Sequence, residues 1–381
     1  MRLDRLRLMV AGSIAPECEP KLARYAHKVV REVVAQLAPL GVRFEAILGK
    51  APPRGKHGLP VAFDWIVTQS LEQQVVGGVP AQSEIGPLLS ASMAQKHLSA
   101  IPANCQAAWE GLINANAVEL RFIEPGWTSG AVRRARAAEH AHALLAIGGG
   151  EGVEHLAQEF LRQGKAVIPL DLAAGNSSGD GTGGAPKLFG TFLAAPSPPY
   201  RMQVGTSFTT LLGALATKGG SVPAEELINR LRALLEALAS PQVFYVRLLA
   251  LDHPDYSVVE AYFRKVIDPV VQQLGFESVE MGCFPATEPW INSQIFRSLH
   301  NCELAVVDLT GLRPNCLIEL GYALGRNRPT VVTAREGTKL PFDITQYSAH
   351  FWHDPHQLEI EKNALLSHWI QVRGRPPLVS T

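Results

Sequence analysis

The sequence predicts an α/β protein with two doubly wound parallel sheets, joined by a linker and a helix. Three observations predict this class. Short apolar runs alternate with amphipathic segments along most of the 381 residues, 46% of the residues are hydrophobic, and a Gly/Ser/Pro-rich stretch separates two such regions. We therefore assign residues 1–200 to a first domain, 201–240 to a linker and helix, and 241–381 to a second domain.

The first region alternates buried strands with amphipathic helices. Apolar residues recur at helical spacing up to Gly41, which ends the first helix, and residues 50–65 are rich in Pro and Gly and indicate a loop. The predicted strands are 7–13, 42–49, 117–124, 142–150 and 166–172. The predicted helices are 20–41, 66–115 with breaks, 129–141 and 151–165.

The second region repeats the pattern after a change of composition over residues 173–207. The stretch AAGNSSGDGTGGAP is too rich in Gly and Ser to pack, APSPPY follows, and the segment indicates part ligand loop and part spacer. A clear helix follows at 224–240. The predicted strands are then 244–251, 276–282, 304–310 and 329–334, with a final strand ending near His353 and Asp354. The predicted helices are 257–275, 288–302 and 316–327. This order indicates a domain of Rossmann-like or flavodoxin-like type.

Composition narrows the function classes. Lys+Arg and Asp+Glu number 35 each, so no general charge attracts nucleic acid or an anionic membrane, and we expect neither as a direct partner. The five cysteines form no C-x-x-C pair, which argues against a zinc site and a disulfide framework. The N-terminus lacks the apolar run of a signal peptide, and no run reaches the length of a membrane span. We expect a cytoplasmic protein without a metal.

Polar residues cluster at the predicted carboxyl ends of strands in the second domain, where ligands of parallel sheets bind. They are Asp252, Tyr256, Asp308, Thr310, Asn315 and Glu319. A carboxylate such as Glu319 suits attack on an electron-poor sugar carbon, or stabilisation of that carbon, because glycosidic transition states are oxocarbenium-like. The alternative is that Glu319 caps its helix or pairs with Arg313 or Arg326, and that Asp308 is an ordinary turn residue.

The stretch DLTGLRPNCLIELGYALGRNRPT, preceded by PWINSQIFRSLHNCELAVV and followed by GTKLPFDI, resembles the nucleoside 2-deoxyribosyltransferase-like superfamily and its TIR-like relatives. The resemblance covers about residues 243–354. It implies that Glu319 is the catalytic carboxylate and that Asp308 and Asn315 shape the sugar pocket, with Asp308 as a second catalytic candidate. The loop LDHPDYS departs from the glycine-rich loop of many members, which leaves the substrate open. The further candidates for substrate contacts are Asp252, Tyr256, Thr310 and the aromatic residues Tyr262 and Trp290.

A glycine cluster in the first domain follows one strand and opens a helix. Glycines allow a phosphate to approach the backbone closely, and the start of a helix supplies N–H donors. The candidate ligand-binding residues are Gly12, Ser13, Arg133, Gly149, Gly150, Gly152 and Glu154. The alternatives are a tight strand-to-helix turn for the glycines and a solvated basic face for Arg133, Arg134 and Arg136.

The segments AGS, VRRARAAEHAHALLAIGGGEGVEHLAQEF and GKAVIPLD resemble the SLOG superfamily, relatives of the LOG-type phosphoribohydrolases. Arg133 matches the arginine of the LOG enzymes by spacing. Val153 and Leu156 stand where their pattern has Thr and Glu, and Glu154 lies two residues early. The resemblance therefore implies the sensor branch of this superfamily, with the loop at 175–184 covering the ligand or serving as a linker.

Together these patterns give a leading hypothesis and two alternatives. The first is a nucleotide-sensing effector of bacterial anti-phage defence, which binds a cyclic dinucleotide or an ADP-ribose derivative and cleaves an N-glycosidic bond of a nucleotide or NAD. The second is a constitutive nucleoside or nucleotide N-glycosidase or deoxyribosyltransferase, and the third is a non-enzymatic nucleotide-binding protein. No cofactor is required by any of them, and we expect a homo-oligomer.

Overall fold

The computed structural model describes residues 1–83, 85–123, 130–175, 183–203, 205–280, 291–345 and 347–373. The chain divides into two compact units, Met1–Ser240 and Pro241–Thr381. We call them the N-terminal unit and the C-terminal unit. Each contains one main parallel sheet with helices packed against it.

The N-terminal unit is built on a six-stranded parallel sheet in the order β6-β5-β2-β1-β7-β8, accompanied by a short antiparallel pair, β3 and β4. The strands are β1 (Arg7–Ser13), β2 (Arg43–Leu48), β3 (Gln82–Ser83), β4 (Gly86–Pro87), β5 (Leu89–Ala94), β6 (Val118–Ile123), β7 (Ala143–Gly148) and β8 (Ala166–Pro169). The strand order changes direction between β1 and β7, and ligand sites of such sheets lie at this kind of switch point.

Helices cover this sheet because their apolar faces need burial. They are α1 (Pro20–Leu37), α2 (Asp64–Val76), α3 (Gln106–Asn114), α4 (Gly130–His140), α5 (Glu151–Arg162), α6 (Ala185–Ala194), α7 (Phe208–Gly213) and α8 (Ala224–Ala237). The helix α1 shows the pattern most clearly, since Val30, Val33, Val34 and Leu37 recur at helical spacing and are fully buried. The helix α8 packs against α1. Residues 201–240, which the sequence analysis set apart as a linker and helix, thus belong to the N-terminal unit.

One strand of this sheet was not predicted. Residues 66–115 read as a broken helix, but they contain the wholly buried strand β5, whose sequence is LSASMA. Alanine and serine carry no β-branch, so the segment lacks the usual strand signal. Small side chains fit there because both faces of the strand lie against other parts of the protein.

The C-terminal unit contains a five-stranded parallel sheet in the order β10-β9-β11-β12-β13. Its strands are β9 (Gln242–Val246), β10 (Glu277–Glu280), β11 (Leu304–Asp308), β12 (Thr330–Arg335) and β13 (Ala349–Trp352). Numbered within the unit this order is 2-1-3-4-5, the flavodoxin-like arrangement, with its switch point between β9 and β11.

The helices of the C-terminal unit bury the two faces of its sheet. They are α9 (Tyr256–Tyr262), α10 (Asp268–Gln273), α11 (Ile291–Asn301), α12 (Pro314–Gly325), α13 (Phe342–Thr345) and α14 (Leu358–Arg373), and a π-helical turn, Phe263–Ile267, joins α9 to α10. One face has an aromatic core that includes Tyr262, Trp352 and Trp369, and the other packs on α12 through Leu320 and Ala323. The helix α14 was not assigned from the sequence.

The predicted fold class is confirmed at the level of two α/β parallel sheets flanked by helices. Among the helices that the structure describes, none has both the length and the apolar character needed to cross a membrane.

Candidate functional site

A cavity of about 190 Å³ lies at the switch point of the C-terminal sheet. The strand β9 and its following loop form one wall, and the first turns of α12 form another. The lining residues are Phe244, Tyr245, Val246, Arg247, Leu249, Ala250, Ile295, Arg313, Asn315, Cys316 and Glu319. The fold thus brings two of the sequence-predicted candidates, Asn315 and Glu319, to one cavity.

Glu319 is the acid of this cavity. It is half-buried on α12, and within the described ranges its carboxylate forms no hydrogen bond and no ion pair. Burial alone raises the pKa of Glu319 to about 7, because the charged form loses water without gaining a partner. A carboxyl group in this state can exchange protons near neutral pH, and its ionised form can act as a nucleophile or as a counter-charge. The alternative of a pair with Arg313 or Arg326 is not found, and Arg326 instead contacts Nε2 of His300 at 3.1 Å.

A second potential nucleophile, Cys316, lines the same cavity one helical turn earlier. Its thiol is 5% exposed, and burial, followed by the charge of Glu319, raises the pKa of the Cys316 thiol to about 12. Only the thiolate is a good nucleophile. Of these two groups, only the carboxyl group of Glu319 ionises to a large extent near neutral pH.

Two guanidinium groups line the cavity, and they differ in their partners. Arg247 is 9% exposed and forms ion pairs with Glu260 and Glu280, so its charge is neutralised within the protein. Arg313, the residue before α12, is exposed, and its guanidinium has no hydrogen bond or ion pair among the residues described.

Asp308 does not line the cavity. It is fully buried, and its carboxylate accepts hydrogen bonds from the Thr310 amide (3.0 Å), the Thr333 hydroxyl (2.7 Å) and the Trp352 indole N–H (2.9 Å). Burial raises the pKa of Asp308, and these donors oppose the shift. Asp308 thus lies outside the lining of this cavity, and its hydrogen bonds hold the ends of β11, β12 and β13 together. Thr310 is likewise buried, and its hydroxyl accepts from the Arg335 amide at 2.9 Å.

The remaining candidates from the loop after β9 also lie away from the lining residues. Asp252 is exposed in this loop. Tyr256 is half-buried against the aromatic core, where it begins α9. The ring of Tyr262 is fully buried and stacks on Trp352 with centroids 4.4 Å apart. Trp290 falls outside the described residues.

In the N-terminal unit, the predicted glycine residues meet at the switch point between β1 and β7. The backbone at Gly12 has φ +145°, and a Cβ there would lie 1.9 Å from the Ile147 carbonyl oxygen. The Gly149 amide donates to the Ser13 carbonyl oxygen at 2.8 Å. Gly150 then precedes α5, whose second residue is Gly152. Only glycine permits this approach of two strand ends, so Gly12 and Gly149 have a structural reason to be glycine whether or not a ligand binds.

Glu154 is bound by a later segment of the chain, at Gly184 and Lys187. Its carboxylate accepts from the Gly184 amide at 2.7 Å and pairs with the Lys187 ammonium at 2.9 Å. Gly184 and Gly175 are also in close backbone contact with Gly148 and Gly149. The predicted ligand loop at 175–184 lies mostly outside the described residues, which resume at 183. Glu154 thus binds a neighbouring part of the chain, a different role from the ligand contact expected.

Arg133 and Asp64 lie near enough for the arginine charge to act on the carboxyl group, a relationship that the sequence did not predict. The Nε of Arg133 is buried and has no hydrogen-bond partner in the part of the chain that the structure describes. Burial raises the pKa of Asp64, the first residue of α2, to about 6, while the Arg133 charge acts in the opposite direction. Asp64 was assigned to a loop; the signal that could have found it is an acid directly before the apolar run WIV.

Across the described ranges, no group of three or more His, Cys, Asp or Glu side chains is arranged to hold a metal ion. His353 pairs with Glu336 at 3.0 Å.

Comparisons with known proteins identify the N-terminal part of the chain. Residues 3–241 match the family model described as ATP nucleosidase Cap17-like, N-terminal. Two Escherichia coli proteins named ATP nucleosidase Cap17, one of them from strain KTE188, are each 24% identical over 189 residues, which is 50% of this chain and 36% of theirs. The chain thus aligns with about a third of the length of these curated relatives.

Likeness to solved structures is weak. A 2-desoxiribosyltransferase from Leishmania mexicana is 18% identical and covers 29% of this chain and 72% of its own, with a TM-score of 0.22. A trehalose-phosphate synthase from Burkholderia vietnamiensis is 10% identical and covers 98% of this chain and 91% of its own, with a TM-score of 0.25. Scores this low carry no argument about fold or function. The family match spans well over half of the chain, and through residues 3–241 the protein belongs to the family of ATP nucleosidase Cap17-like N-terminal regions.

Proposed function

We propose that the protein is a nucleotide-responsive effector whose C-terminal unit cleaves the N-glycosidic bond of a nucleotide, with Glu319 as the reacting carboxylate. The observation that carries this proposal is a half-buried, unpartnered glutamate whose pKa is raised to about 7 in a cavity at the switch point of a parallel sheet. Asn315, one turn before Glu319 on the same helix face, supplies an amide to orient the sugar.

The chemistry follows from the charge of the transition state. As the bond between C1′ and the base nitrogen breaks, its electron pair leaves with the base, and positive charge develops on the sugar. The ionised Glu319 stabilises that charge or bonds to C1′. Water or another acceptor then replaces the carboxylate at C1′, and a proton from the acceptor ends on the departed base.

ATP is the first substrate to test, because the Escherichia coli relatives carry the name ATP nucleosidase. NAD and other nucleotides are tested next, because they also contain an N-glycosidic bond. The family match lies in the N-terminal unit, so the experiment must also establish which unit carries the reaction.

The N-terminal unit binds a nucleotide ligand in this proposal, and the setting is bacterial anti-phage defence. Support comes from the meeting of glycines at the switch point between β1 and β7, and from the buried, unpartnered Nε of Arg133. Arginine is suited to phosphate because its planar group offers paired donors.

The test uses the full chain. It is incubated with ATP, NAD and a nucleotide panel, each with and without cyclic di-AMP, cyclic di-GMP or ADP-ribose, and free base is separated by chromatography. The Glu319→Gln variant removes the charge with little change of volume, and Glu359→Gln, an exposed glutamate on α14, is the matched control. Base release that needs the second ligand and disappears only in Glu319→Gln is the expected result.

Each of the other outcomes favours a different alternative function. Release without a second ligand favours a constitutive N-glycosidase or transferase and overturns the sensing part. Release that persists in Glu319→Gln but is lost in Arg133→Gln moves the reaction to the N-terminal unit. No release from any substrate, with nucleotide binding retained, indicates a binding protein without this activity.

A further inference from the structure

The cavity of the C-terminal unit contains one cation without a protein partner in the described structure. Arg247 forms ion pairs with Glu260 and Glu280. Burial lowers the pKa of Arg247, but these two carboxylates outweigh burial and raise it. Arg313 has no such carboxylate among the described residues, although it lines the same cavity. An exposed arginine without an acidic partner is available for an anionic ligand.

Arg313 and Glu319 place opposite charges at different positions in the cavity. They are six residues apart, and the helical steps from Pro314 to Glu319 alone span about 7.5 Å along the axis of α12. Glu319, once ionised, repels a phosphate, whereas Arg313 attracts it and the positive end of the α12 dipole adds to the attraction. A nucleotide with its anomeric carbon at Glu319 therefore carries its phosphate toward Arg313.

We propose that Arg313 binds the 5′-phosphate of the substrate and makes the C-terminal site selective for nucleotides over unphosphorylated nucleosides. This inference rests on the proposed function for its reaction, but its binding component can be measured without any reaction. Arg313 is a specificity residue here: it does not contact the reacting atoms, and its loss leaves the chemistry of Glu319 intact.

The kinetic test compares phosphorylated and unphosphorylated forms of one nucleoside. In Arg313→Gln, KM for ATP should rise roughly ten- to hundredfold, the range expected for loss of a charged hydrogen bond. The kcat for ATP and the KM for adenosine should stay within about twofold of the unmodified chain. Arg313→Lys should restore part of the KM for ATP because it retains a positive charge.

The binding test keeps this inference separate from the proposed function. AMP and adenosine are titrated calorimetrically into Glu319→Gln and into the Glu319→Gln/Arg313→Gln double variant. Arg313→Gln should weaken AMP binding at one site per chain by roughly ten- to hundredfold and leave adenosine binding unchanged. This result would stand even if no base release were found with any substrate.

Arg326→Gln is the matched control, because Arg326 lies at the opposite end of α12 and contacts His300. It should leave the KM for ATP and the affinity for AMP unchanged. The inference is overturned if Arg313→Gln leaves AMP binding intact, or if it raises KM for ATP and adenosine by the same factor.

Discussion

Cys316 and Glu319 lie one helical turn apart on α12 and line the same cavity, where the charge of the glutamate helps to keep the thiol protonated. Two candidate nucleophiles thus share one site, and the charge of the glutamate makes ionisation of the thiol less favourable. This relationship can be tested from either side.

From the thiol side, we expect Cys316 to resist alkylation. With a pKa of about 12, roughly one thiol in ten thousand is ionised at pH 8. In Glu319→Gln the repulsion is gone, so the pKa falls and labelling by iodoacetamide becomes faster, although burial still limits it. Peptide mass spectrometry measures the rate at Cys316 alone. Equal rates in both proteins would contradict the coupling, and Cys316→Ala should retain base release within about twofold.

From the glutamate side, we expect base release to depend on an ionisation near pH 7. The carboxylate is the reacting form, so kcat should rise as the pH increases through the pKa of about 7 and then level off. The profile is measured with saturating substrate between pH 5 and 9. A profile that is already flat from pH 5 upward would contradict the raised pKa of Glu319, whose ordinary value is 4.5.

The same shift predicts how stability changes with pH. The native state favours the protonated form of Glu319, whose pKa is raised from 4.5 to about 7, so its contribution becomes unfavourable as pH rises through that interval. Glu319→Gln should therefore melt a few degrees higher than the unmodified chain at pH 8 and at nearly the same temperature at pH 4.5. Thermal denaturation of both proteins, with Glu359→Gln as control, measures the difference. A Tm gain of equal size at both pH values would contradict this account.

Asp308→Asn should destabilise the C-terminal unit by about 3 kcal/mol. One acceptor oxygen is lost, and the amide N–H₂ that replaces it faces donors from Thr310, Thr333 or Trp352. Denaturant unfolding followed by Trp fluorescence measures the loss, and Asp343→Asn, at an exposed position of α13, is the control. If Asp308→Asn abolished base release without a change in unfolding free energy, the residue would be catalytic after all.

Gly12→Ala should unfold the N-terminal unit or weaken it by several kcal/mol, because the added Cβ would lie 1.9 Å from a carbonyl oxygen between β1 and β7. Gly78→Ala separates this clash from backbone strain, since Gly78 has φ +93° and an added Cβ there meets no atom within 4 Å. We expect Gly78→Ala to cost only about 1–2 kcal/mol. Urea unfolding of both variants measures the difference, and similar losses would contradict the clash.

The alternation of apolar strands and amphipathic helices predicted both parallel sheets, because that pattern depends on local periodicity. The helix α1 is visible in this way through its recurring valines. The strand β5 is not, since its burial depends on neighbours that are distant in sequence and its Ala and Ser residues have no strong preference of their own.

In the candidate site, too, local spacing could be predicted from the sequence and contacts between distant residues could not. Glu319 and Asn315 could be found because a helix places them one turn apart, whatever surrounds it. Asp308 has donors that lie 2, 25 and 44 residues further along the chain, so its burial and its full set of hydrogen bonds could not be inferred locally. Arg133 and Asp64 escaped notice as a pair for the same reason.

The hydrogen-bonding role of Asp308 changes how sequences related to the C-terminal unit can be interpreted. An aspartate at the end of this strand is needed to join three strand ends, so a descendant that has lost its chemistry would still need it. Glu319 has no hydrogen bond or ion pair among the described residues, so it could be lost together with the proposed activity. A homologue that keeps the aspartate and replaces the glutamate is then a candidate pseudoenzyme, while one that keeps both is worth assaying.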